Sequence, residues 1–103
     1  MDSQILSLAL KSQRGEITEY LIYSGLASRI KDSHNRGILE VIAKDEMRHY
    51  EFWKGITRQE IKPNRLFVSW YIFISHFLGL AFGLKLMEKG EVLTSAQYEK
   101  FKG

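Results

Sequence analysis

The sequence predicts an all-α protein, a bundle of three long antiparallel helices forming one domain over residues 1–103. Three observations carry that prediction. Apolar residues recur at steps of three and four through long stretches. Pro63 is the only proline. Turn-forming clusters fall at two places, Lys31–Asn35 and Arg58–Asn64, and short connections of this kind join antiparallel neighbours.

The first helix is expected from about Ser3 to Ile30, with Asp2 or Ser3 as its N-cap. Its inner stripe reads Ala9, Gln13, Glu16, Tyr20, Tyr23, Ala27, Ile30. Gly15 and Gly25 weaken it by about 1 kcal/mol each relative to alanine. The second helix is expected from Ser33 or Asn35 to Thr57. Leu39, Ile42, Ala43, Glu46, His49, Tyr50, Trp53 and Ile56 face inward there, while Glu40, Lys44, Asp45, Arg48, Glu51 and Lys54 face water. Asn64 is placed to cap a third helix running from about Arg65 to Gly90. A short helical tail is expected over 94–101.

Composition removes several classes of function. The net charge is +3, but Lys and Arg are spread along the chain, with no basic run interleaved with aromatics, so no nucleic-acid partner is expected. The absence of cysteine excludes disulfides, zinc fingers, iron–sulfur ligation and a rubredoxin-type iron site. No basic region followed by an apolar one opens the chain, which points to the cytoplasm.

The run from Leu66 to Leu84 carries no formal charge, and its length invites a transmembrane reading. Ser69, Ser75 and His76 interrupt it, and a histidine near the middle would be expensive in lipid. A helix apolar on all sides needs a cover. A second copy of the chain, giving a homodimer or higher homo-oligomer, is the reading preferred here. A membrane-anchored or membrane-associated protein is the alternative.

The chemistry-bearing residues are carboxylates and one imidazole set in apolar stripes. Glu46-Met47-Arg48-His49 places an acid and a base one turn apart on the second helix. Burying such groups is costly unless something compensates them. Glu16 stands on the first helix, with Glu19 one turn on. Glu88 and Glu91 stand three apart toward the end of the third. Carboxylates with a few imidazoles suit iron or manganese, and di-metal bundle sites draw an i, i+3 Glu/His pair from one helix and a Glu from another. The competing reading is a set of ion pairs with Arg or Lys in a purely structural bundle.

In this order the motifs resemble the ferritin-like superfamily, and within it rubrerythrin-type domains. The similar strings are Glu16-Ile17-Thr18-Glu19-Tyr20, Arg48-His49-Tyr50-Glu51-Phe52-Trp53, Lys62-Pro63-Asn64-Arg65 and Leu86-Met87-Glu88-Lys89-Gly90-Glu91. They are most similar to the rubrerythrin-like domains linked to membrane domains of the vacuolar iron transporter type. The resemblance implies a di-iron carboxylate site, with manganese or zinc as other occupants. Its ligands would be Glu16, Glu46, His49, Glu88 and Glu91, with Glu19 as a spare carboxylate and Tyr23 beside the metals as a hydrogen-bond or electron donor. It implies oxidation of Fe(II) by dioxygen or peroxide, or metal binding without turnover and delivery of iron to a membrane partner. One departure is large. The family's fourth helix carries a second Glu-x-x-His, and none follows in this chain. The site is therefore expected to be completed across a dimer or in further sequence, or else to be incomplete.

Overall fold

The computed structural model describes residues 2–79. Among them the structure is all-helical: α1 is Ser3–Ala27, α2 is Ser33–Thr57 and α3 is Arg65–Leu78. The chain divides into two units after Trp70. The first holds α1, α2, the connection between α2 and α3, and the opening turns of α3.

Each helix starts where its capping residue dictates. Asp2 accepts a hydrogen bond from the Gln4 amide at 2.7 Å and begins α1. Asp32 takes the amides of His34 and Asn35, each at 3.4 Å, and begins α2. Asn64 Oδ1 accepts from the Phe67 amide at 3.1 Å and begins α3, the role its sequence position predicted.

The ends differ more from expectation. α1 stops at Ala27, not at Ile30. The amides of Arg29 and Ile30 fold back onto the carbonyls of Leu26 and Ala27 in a tightened last turn. The Ser28 hydroxyl and the Arg29 guanidinium both take the Gly25 carbonyl at 2.8 Å. α2 ends with Arg58 in the left-handed conformation, φ 58°, its amide bonded to the Lys54 carbonyl at 2.7 Å. A side chain there crowds its own backbone, and glycine does not. Arg58→Gly should therefore raise the unfolding free energy by about 0.5–1 kcal/mol, read as a higher urea midpoint at unchanged slope. Just beyond, the Lys54 ammonium donates to Glu60 at 3.1 Å, and that bond and the Glu60 charge hold Lys54 above its ordinary pKa.

α1 and α2 form an antiparallel hairpin, since Gln13 meets Thr57 while the later Glu16 meets the earlier His49. The core between them consists of Ala9, Tyr23, Leu26 and Ala27 from α1 and Leu39, Ala43, Tyr50 and Trp53 from α2. α1 also buries Thr18 and Ile22, outside its expected stripe. At Thr18 the cause is visible: the α2–α3 connection bonds to it. The Asn64 amide donates to Thr18 Oγ1 at 3.0 Å, and the Ile61 amide donates to the Tyr50 hydroxyl at 3.2 Å.

The anchor of that connection is polar. Gln13 is fully buried. Its Nε2 donates to the Gln59 carbonyl at 2.6 Å, and its Oε1 accepts from the Thr57 hydroxyl at 2.6 Å. Thr57 Oγ1 in turn accepts from the Gln59 amide at 3.3 Å. A buried network of this kind fixes a connection only when every member is satisfied, as here.

α3 begins with Leu66, Phe67 and Trp70 exposed, and further along Phe73, Phe77 and Leu78 are exposed as well. The Phe73 and Phe77 rings stack with centroids 4.5 Å apart. No helix among the described residues is long and apolar enough to cross a membrane. The remainder of the apolar run, the expected extension to Gly90 and the tail over 94–101 lie outside the described residues.

Candidate metal centre

Three of the expected ligands converge at the middle of the hairpin. Donor atoms of Glu16, Glu46 and His49 all lie within 4.8 Å of one another. α1 supplies Glu16, and one turn of α2 supplies the other two, because residues three apart in a helix are neighbours on its surface. His49 Nδ1 stands 3.3 Å from Glu16 Oε2. No Arg or Lys among the described residues pairs with Glu46. Ion pairs among the described residues include Arg48–Asp45, His49–Glu16 and Lys54–Glu60.

Burial is graded across the site. Glu46 is 7 % exposed, and its Oε2 has no hydrogen-bond partner among the described residues. The Glu16 side chain is 18 % exposed and that of His49 57 %. The expectation that both members of Glu-x-x-His lie on the buried face therefore holds for Glu46 and not for His49. The reason is angular. The buried positions Leu39, Ala43, Glu46, Tyr50, Trp53 and Thr57 centre on one line along α2. His49 stands off that line, toward the outer face.

The donor set fits a divalent ion. A carboxylate oxygen deprived of both water and protein donors costs about 1–3 kcal/mol or more, and a cation is what such an oxygen lacks. Two carboxylates and an imidazole suit Fe(II), Mn(II) or Zn(II).

The other expected residues are placed differently. Tyr23 is buried two turns beyond Glu16 on α1, at 4 % exposure. Glu19 is half-buried one turn beyond Glu16 and is not a member of the converging group. Glu88 and Glu91 lie outside the described residues. Sequence reasoning placed Gln13 on the inner stripe but missed its role. The signal was available: a large amide amid apolar stripe positions needs buried partners, and Thr57 and Gln59 at the close of α2 could supply them. Compared with known proteins, the chain matches no family model, no curated protein and no solved structure.

Proposed function

We propose that this protein binds a divalent metal ion between α1 and α2 through Glu16, Glu46 and His49, and that the ion is iron. The observations that carry the proposal are that Glu46 is buried with its Oε2 unpartnered among the described residues, and that a donor atom of Glu46 lies within 4.8 Å of donor atoms of Glu16 and His49. Glu46 and Glu16 offer two negative charges to offset the ion's own. His49 offers Nδ1, leaving Nε2 directed to the outer face or to an acceptor that fixes the ring. The order of motifs in the sequence supports iron over zinc through its resemblance to rubrerythrin-type domains, and the same resemblance supports a ferritin-like di-iron role. Iron held by such ligands supplies electron exchange with dioxygen or peroxide. The same resemblance gives Tyr23, buried two turns along α1 from Glu16, the role of hydrogen-bond or electron donor.

The second reading is a metal-binding module that stores or hands on iron without oxidising it. The donors that converge among the described residues, two carboxylates and one imidazole, make up a set for one ion, which fits this reading.

Elemental analysis of the chain expressed in iron-supplemented medium, followed by stopped-flow absorbance after Fe(II) meets dioxygen, separates the two. Bound iron with Fe(III) formation well above the buffer rate supports the oxidase reading. Bound iron with no acceleration supports the module. A chain that carries no iron and takes up none contradicts both.

A further inference from the structure

The connection over residues 58–64 is tied down by side chains of both helices it follows. The Gln59 amide donates to Thr57 Oγ1, and the Gln59 carbonyl accepts from Gln13 Nε2. The Ile61 amide donates to the Tyr50 hydroxyl, and the Asn64 amide to Thr18 Oγ1. A surface connection can leave such groups to water. This one gives them to four buried side chains, Gln13, Thr18, Tyr50 and Thr57.

These anchors cluster around the metal donors in the sequence. Gln13 and Thr18 stand on either side of Glu16 along α1. Thr18 Oγ1 also donates to the Arg14 carbonyl at 2.7 Å, a bond that spans the turn carrying Glu16. On α2, Tyr50 follows His49 directly and stands one turn beyond Glu46. The connection therefore grips the helical turns that carry the donors. At Thr18 and Tyr50 it does so from a side that Glu16 and His49 do not face, because residues one or two apart in a helix point apart.

We propose that this connection is a strap coupled to the metal centre. A bound ion holds the strap down, and the strap in turn keeps Glu16 of α1 in place against Glu46 and His49 of α2. The inference rests on the metal-binding reading above. The donors belong to two helices, so their spacing depends on how the helices are clamped. Two carboxylates drawn close with no ion between them oppose the clamp, and an ion between them favours it. The strap bonds to both helices, so its release frees one against the other. Coupling of this kind is reciprocal and acts by the same factor in both directions. Tyr50 and Thr18 are thus positioning residues that act on the ion through the strap. The coupling reaches the start of α3 as well. Asn64 gives its amide to Thr18, and its Oδ1 caps α3 at the Phe67 amide.

Amide exchange and metal affinity read the coupling from its two ends. Zn(II) is the ion used, because it is diamagnetic and suits the same donors. NMR hydrogen exchange on the full chain should show the Ile61 and Asn64 amides slowed about fivefold or more at saturating Zn(II). The Gln4 and Asn35 amides also bond to side-chain oxygens, but they stand about three turns from the nearest donor on their own helix and should not change. From the other end, Tyr50→Phe and Thr18→Val each delete one hydroxyl at similar bulk. Each should weaken Zn(II) binding about fivefold or more in calorimetry, whereas Thr18→Ser, which keeps the hydroxyl, should bind as wild type does. A role confined to folding would lower the urea midpoint of the variants and leave the Zn(II) affinity of the folded chains as it was. Circular dichroism checks that they fold, and if a variant does not, the exchange measurement on wild type decides. Zn(II) bound with Ile61 and Asn64 exchanging as before, or unchanged affinity in both folded variants, overturns the strap and leaves the metal site standing. A wild-type chain that takes up neither Zn(II) nor Fe(II) overturns the metal reading itself.

Discussion

Glu46→Leu should make the metal-free protein more stable and unable to take up metal. The two effects share one cause. In the metal-free chain Glu46 is buried beside Glu16, with Oε2 unpartnered, so its carboxylate is held at a cost. Leucine has similar bulk, no polar atom to satisfy, and neighbours in Ala43 and Tyr50 on the same face. Removing a buried unsatisfied group should add about 1–3 kcal/mol to the unfolding free energy in chelator. For a chain of this size that is a rise of several degrees in Tm. In the presence of Mn(II) or Fe(II) the order should reverse. Wild type gains stability with the logarithm of ligand concentration, about 4.1 kcal/mol at a thousandfold excess over Kd, and Glu46→Leu gains none. Thermal melts with chelator and with metal measure both halves. If Glu46 serves a structural contact instead, the leucine variant will be the less stable protein in chelator.

Gln13→Leu should strongly destabilise the hairpin. It removes the acceptor for the Thr57 hydroxyl and the donor for the Gln59 carbonyl, both in buried or part-buried surroundings. Two such groups left unsatisfied should cost roughly 2–4 kcal/mol. The loss should appear in urea denaturation as a lower midpoint. The change also loosens the connection that begins at Arg58 and carries α3. Adding Thr57→Val to Gln13→Leu should recover part of the loss, because a polar pair replaced on both sides by apolar groups leaves less unsatisfied. Additive losses would mean that the two residues act independently.

Much of this fold is legible in the sequence because local signals and burial agree. Asp2 and Asn64 are short polar residues ahead of apolar runs, and both cap helices. α2 is amphipathic with one buried line, so its stripe was readable except at its edge, where Ile56 and His49 turn outward. α1 is harder. It buries one face against α2 and another beneath the connection, where Thr18 takes the Asn64 amide. A search for one stripe finds only the first face and misses Thr18 and also Ile22, among the most buried side chains of the described residues. The end of α1 depends on Ser28 and Arg29 reaching back to the Gly25 carbonyl, which periodicity does not encode.

The site divides the same way. That Glu16 meets Glu46 and His49 follows from stripe positions on two antiparallel helices, and sequence spacing suffices to pair them. That His49 is the exposed member depends on a rotation of less than one residue about the α2 axis, which the three-residue spacing leaves open.

The central claim is that Glu16, Glu46 and His49 hold a metal ion. Anaerobic calorimetric titration of Fe(II) into the chelator-treated full chain, with Glu46→Leu and His49→Ala in parallel, tests it most directly. The account predicts saturable binding by wild type, a loss of affinity of at least a hundredfold in Glu46→Leu, and a clear weakening in His49→Ala. Equal binding by all three proteins, or none by wild type, would contradict it.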